Sequence, residues 1–121
     1  MSQDDSHMVI GHSTSGAEAL AAKVARTDVV SAFSTVPNEV LFAVFEGRKK
    51  GTPPDLVCCE DSEHAKNTIA GLIRDVGFNP VDLGPLSAAR YIEPFSLLVA
   101  QIPCSRSDGP ALAYRFLHLA Q

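Results

Sequence analysis

No Gly-x-Gly-x-x-Gly turn occurs in these 121 residues, and no lysine follows Gly16 of the GHSTSG segment, so both common phosphate-loop signatures are missing. No apolar stretch approaches the ~20 residues that a membrane-crossing helix requires. Cations are sparse: Arg48, Lys49 and Lys50 form the single basic run in a chain of net charge -4, which leaves no electrostatic footprint for nucleic acid. Cysteine is scarce too, with only Cys58, Cys59 and Cys104. Cys58 and Cys59 are adjacent in an apolar run, where strand geometry sends them to opposite faces and leaves them poorly placed to share a metal. Buried thiols acting as small hydrophobes are the expectation. The start carries no charged-then-apolar leader, so a soluble protein in a reducing cytoplasm is expected.

What is present fits one small globular domain, with 45% hydrophobic and 20% charged residues. Residues 1–13 are polar, carry Asp4 and Asp5 and show no period, which predicts a flexible N-terminal segment ahead of an ordered region over 14–121. GAEALAAKV predicts a helix over 15–24, with Thr14 or Ser15 as cap and Glu18 in the first turn. The preceding GHSTSG either cradles an anion at that helix start or simply caps it. DVVSAF, residues 28–33, reads as a buried strand ended by Ser34, Thr35 and Pro37. Ligands gather beyond strand ends in open α/β sheets, so this polar exit is the best site candidate; a plain turn and cap is the alternative. NEVLFAVF over 38–45 predicts an amphipathic helix with Val40, Leu41, Val44 and Phe45 on one side. Residues 46–54 form a charged Gly/Pro loop, either a flap or a connection.

The stretch 55–95 carries the strongest pattern. A buried strand over 56–59 leads through Glu60 and Asp61 to a helix over 62–76, whose inner stripe is Ala65, Ile69, Leu72, Ile73 and Val76 and whose left-handed stop is Gly77. Glu60, Asp61 and Glu63 beside His64 suit either a metal or the positive end of the helix dipole. A third strand over 78–83 completes a strand, helix, strand unit, and Gly84 and Pro85 turn the chain into an apolar helix over 86–102 with a kink or break expected at Pro94. That apolar face is a candidate homodimer surface or ordinary core. Residues 103–110 form a polar loop, and 111–119 read equally as strand or helix. The expected fold is a partial Rossmann-like three-layer α/β unit, with a short mostly parallel sheet and flanking helices, lacking an N-terminal βαβ unit.

The segments VVSAFSTVP, LVCCEDSEHAKNTIAGLIRDVGFNPVDLGPL and SAARYIEPFSLL resemble the C-terminal half of the NADP reductases that use the deazaflavin coenzyme F-420. Members carry a Gly-rich dinucleotide-binding unit first, transfer hydride between NADPH and the deazaflavin, and often dimerise. The resemblance implies that Ser34, Thr35, Val36 and Pro37 lie near the nicotinamide and deazaflavin rings, although the family usually has Asn where Ser34 stands. It implies that Gly84, Pro85, Leu86 and Ser87 border the ligand cleft. Hydride transfer between two cofactors needs positioning and exclusion of water, not a side-chain acid or nucleophile, so no catalytic residue and no metal ligand is expected. Without the glycine turn, NADPH should bind this chain weakly or not at all. Two other readings fit the same residues: a non-catalytic binding or dimerisation module, and an inactive gene fragment.

Overall fold

Six consecutive buried residues, Asp55–Glu60, form the central strand β2, and everything else is arranged around them. In the computed structural model, which describes residues 13–104 and 112–119, β2 lies between β1 (Val30–Ser31) and β3 (Asn79–Asp82). β3 is parallel to β2, pairing Asp55 with Asn79 and Cys58 with Asp82. β1 is antiparallel, pairing Val30 with Glu60 and Ser31 with Cys59. The sheet is therefore mixed, with its parallel pair joined by the expected strand, helix, strand unit.

A strand buried on both faces reads as a continuous apolar run, and the alternation of its side chains defines the layers. Val57 and Cys59 join Leu86, Ala89 and Ile92 in one core cluster, covered by α1 (Gly16–Lys23) and α4 (Ala89–Cys104). Leu56 and Cys58 join Ile73 and Phe78 in the other, under α2 (Asn38–Glu46) and α3 (Glu63–Val76). The adjacent cysteines thus sit in different layers, both as free thiols. Burial pushes Cys58 up to about 11 and Cys59 up to about 12, which keeps both in the unreactive thiol form at neutral pH.

The helices begin and end on local signals. Ser15 caps α1 by accepting the Glu18 N–H at 3.1 Å, and Glu18 receives a two-pronged contact from Arg90 of α4 at 2.9 and 3.0 Å. The Arg90 guanidinium holds the Glu18 carboxyl below the usual carboxylate range. Ser62 caps α3 by accepting the Ala65 N–H, and Gly77 ends it at φ 120°, where a Cβ would lie 2.8 Å from that of Arg48. Ala65 and Ile73 are buried as the stripe predicts, but Leu72 is half-exposed because it borders an open recess against α2. After Gly84 the chain makes a 3-10 turn, Leu86–Ala88, before α4. The change in helical geometry falls there; α4 continues through Pro94.

The strand expected over 28–33 is reduced to two residues. Phe33 adopts φ 60°, the single positive φ of a non-glycine among the described residues, and the Ser34 N–H turns back to the Ala32 carbonyl at 2.7 Å. The left-handed conformation costs an L-residue about 1–2 kcal/mol, and it lifts the chain off β2 before β1 can serve the amino half of that strand. The C-terminal segment takes over. Residues 112–119 are neither helix nor strand, yet the Tyr114 carbonyl accepts the Asp55 N–H at 2.8 Å and the Tyr114 hydroxyl accepts the Val57 N–H at 3.0 Å. That hydroxyl also shares a 2.6 Å hydrogen bond with Thr35. Asp55 answers with its carboxylate, accepting the Phe116 N–H and the Asn79 amide. Tyr114 meets the Phe95 ring of α4 edge to face, and Phe116 lies tilted beside both.

Of the predicted flexible segment 1–13 and loop 103–110, residues 1–12 and 105–110 lie outside the described residues, and 103 and 104 belong to the last turn of α4 instead of the loop. Among those described, no helix is long and apolar enough to cross a membrane.

Tyr114→Phe removes the hydroxyl that serves both Val57 and Thr35, and a buried donor left unpaired costs about 1–3 kcal/mol. Urea unfolding of the variant should show a loss of that order with an unchanged slope; a loss below about 0.5 kcal/mol would place those groups in water instead.

Candidate functional site

The two groups of residues singled out in the sequence occupy opposite ends of β2. Because β1 is antiparallel to β2, its exit at Ser34, Thr35, Val36 and Pro37 lies beside the amino end of β2, where Thr35 meets Tyr114. Gly84, Pro85, Leu86 and Ser87 follow β3, which is parallel to β2, and so lie at its carboxyl end, where the Gly84 carbonyl accepts the Glu60 N–H. The five steps between those ends span about 16 Å. A single cleft bordered by all eight residues is not formed among the described residues.

At the β1 exit, Ser34 is exposed and its hydroxyl lies 3.1 Å from that of Ser96 on α4. Thr35 is buried and engaged by Tyr114, so its hydroxyl is structural in this arrangement. Pro37 stands before the first turn of α2 with an extended ψ of 148°. Val36 borders an apolar recess of about 450 Å³, with Phe33, Leu41, Phe42, Phe45 and Leu72. This volume is within the ~300–1,000 Å³ of small-molecule sites. Phe42 is 72% exposed and Phe45 43%, so the recess presents aromatic surface to solvent.

At the other end, Gly84 takes φ 92° and donates its N–H to Asp82 at 3.0 Å. Leu86 sends its side chain into the core rather than outward. Gly84 and Pro85 line a polar depression of about 230 Å³ with Glu60, Asp61, Ser62, Glu63, Lys66 and Asp82. Lys66 grips Asp82 at 2.6 Å, holding that carboxyl below its usual range and raising its own ammonium pKa. Glu60 is buried, and its Oε2 makes no hydrogen bond. Burial, reinforced by the Asp82 carboxylate, pushes its carboxyl above the usual range. His64 borders a different cavity, with Asp28, Val30 and Thr68, and among the described residues no group of three or more His, Cys, Asp or Glu side chains is placed to hold a metal.

Helix starts are the natural anion sites of an α/β unit, and this chain fills two of them with its own carboxylates. Glu93 of α4 accepts the N–H groups of Gly16 and Ala17 at 2.7 and 3.1 Å, so the GHSTSG alternative resolves to a capped start with an internal carboxylate in the anion position. Asp61 accepts the Leu86 N–H at 2.9 Å at the start of the 3-10 turn. The start of α3 lies among four acidic side chains, which repel phosphate. α2 differs: no side chain caps it. Sequence reasoning missed Glu93, Lys66, Asp82 and Tyr114, since each acts on an element at least 16 positions away in the chain or, like Tyr114, sits in an irregular segment.

Folding favours the protonated form of a carboxyl whose pKa is raised. Ionisation of Glu60 therefore erodes stability as pH climbs from the ordinary carboxylate value through the raised one. Glu60→Gln should be more stable than the parent at neutral pH, with the advantage vanishing in acid. Denaturant curves at several pH values check this, and a variant weaker at neutral pH would contradict it.

No family model matches the sequence. The chain is 35% identical over 86 residues to the metalloreductase STEAP3 of Rattus norvegicus, a stretch that makes up 71% of this chain and 17% of that protein. Its fold is similar, with a TM-score of 0.80 at 18% identity, to the crystal structure of a protein from Arthrobacter sp. FB24 described as an F420-dependent NADP reductase. That likeness covers 93% of this chain and 50% of the other. The chain spans half the length of the one and under a fifth of the other, and the structural likeness identifies the sheet and its two helical layers as a partial Rossmann-like α/β fold.

Proposed function

We propose that this chain is the ring-facing portion of an NAD(P)-dependent oxidoreductase that passes hydride between NADPH and a deazaflavin-type cofactor. The observation that carries the reading is the double likeness to reductases, one by sequence over 71% of the chain and one by fold over 93% of it. When bound, such cofactors supply the redox chemistry themselves. The chain's own contribution is to place them and keep water out.

The described residues suit the rings better than the phosphates. The recess beside Val36 is apolar, open and bordered by aromatic side chains, and a flat heterocycle gains by stacking there. Ser34, whose hydroxyl pairs with that of Ser96 on α4, anchors the turn that leads into the recess. α2 starts next to it without a side-chain cap, so its first N–H groups add a partial positive field toward a polar ring substituent. A pyrophosphate finds no comparable place, because Glu93 closes the start of α1 and acids surround that of α3. Gly84, Pro85, Leu86 and Ser87, at the other end of β2, serve this reading as the frame of β3 and α4.

Fluorescence titrations test the proposal. Oxidised deazaflavin should bind saturably, and Val36→Asp should weaken it at least about tenfold by placing a charge in an apolar recess; NADPH should bind far more weakly. Absence of any deazaflavin binding would sink the ring-facing role, and micromolar NADPH binding would show that a phosphate grip exists after all.

A second reading, a non-catalytic binding or dimerisation module, draws on the missing glycine turn and on the exposed apolar side chains Tyr91 and Leu98 of α4. It expects concentration-dependent self-association in sedimentation, and a strict monomer at high concentration would exclude the dimer form.

A further inference from the structure

The acidic depression at the carboxyl ends of β2 and β3 contains one acceptor that nothing in the fold uses. Asp82 spends one oxygen on Lys66 and the other on the Gly84 N–H. Asp61 accepts the Leu86 N–H. Glu63 is 85% exposed and solvated, 4.0 Å from Lys66. Glu60 is different: the residue is 5% exposed, it lines the depression, and its Oε2 is buried without a hydrogen bond. Buried carboxylates are normally paired or hydrogen-bonded, so a buried side chain that lines a recess with unused acceptor capacity points to something that donates to it.

The surroundings select the donor. Four carboxylates outnumber the one ammonium, and the partial positive charge at the start of α3 offsets only about half an elementary charge. Anions are repelled. A hard divalent ion needs several oxygen ligands converging at close range, and among the described residues no such group is formed. A planar guanidinium suits the place better than an ammonium: it is weakly hydrated, and it presents paired N–H groups in the spacing of a carboxylate. The cavity of about 230 Å³ is smaller than the ~300 Å³ floor of drug-sized sites, so it takes a compact head group and not a dinucleotide.

We propose that this depression binds the guanidinium group of a small molecule, with Glu60 as principal acceptor and the Lys66–Asp82 pair as the fixed wall opposite. The site is separate from the recess beside Val36 and stands or falls independently of it.

The test is an amide-resolved NMR titration of the full chain with N-ethylguanidinium chloride, at ionic strength matched with sodium chloride. Saturable shifts confined to the backbone around Glu60, Ser62 and Gly84 are expected, with ethylammonium binding several-fold more weakly. Glu60→Gln should weaken binding about tenfold, the loss of one charge-assisted hydrogen-bonded contact, while Glu63→Gln on the rim changes it less than about threefold. Thermal melts confirm that both variants fold, and N-ethylguanidinium should raise the melting temperature of the parent saturably and not that of Glu60→Gln. Unsaturable or scattered shifts, or equal binding by Glu60→Gln, would overturn the proposal. So would binding of N-acetylarginine amide alone, which would assign the site to an arginine of a protein partner.

Discussion

The amino half of β2 depends on a surrogate strand. Backbone N–H groups buried without partners are among the costliest defects a fold can carry, and the turn at Phe33 creates that risk by ending β1 opposite Cys59. Tyr114 meets it twice, with its carbonyl for Asp55 and its hydroxyl for Val57. Asp55 in turn fixes the C-terminal segment through Phe116 and the edge strand through Asn79. One residue from an irregular stretch thereby links three parts of the chain that are distant in sequence. The left-handed Phe33 and the docked tail are two halves of one arrangement: the first ends the pairing of β1 with β2, and the second supplies acceptors to the N–H groups of Asp55 and Val57.

A second constraint is electrostatic. Glu93 and Asp61 occupy positions at helix starts where a phosphate would otherwise be attracted, and Glu18 ties α1 to α4 through Arg90. The same carboxylates that tie α1 to α4 and the 3-10 turn to the end of β2 therefore make those helix starts inhospitable to anions. Two of the recesses that remain differ sharply in chemistry: an aromatic one at one end of the central strand and an acidic depression at the other.

Local signals made much of the fold legible. The caps Ser15 and Ser62, the stop at Gly77 and the apolar run around Cys58 and Cys59 each act over a few residues, and each is found where the sequence implies it. The short β1 and its antiparallel direction were not legible, because DVVSAF has the composition of a longer strand and only the φ of Phe33 ends it early. The direction mattered most for the site. It separates Ser34, Thr35, Val36 and Pro37 from Gly84, Pro85, Leu86 and Ser87, and strand direction is a tertiary fact that composition does not encode. The ambiguous segment 111–119 was unreadable for a related reason: its described part makes its bonds to β2 and α4, with no periodic pairing of its own.

The two adjacent thiols at the heart of β2 form a natural pair of sentinels. Each is sealed by a different helical layer, so any fluctuation that peels one layer away uncovers one sulfur while its neighbour stays masked. The order in which the two become open to an alkylating reagent would therefore disclose which side of the sandwich loosens first, with no cysteine introduced for the purpose.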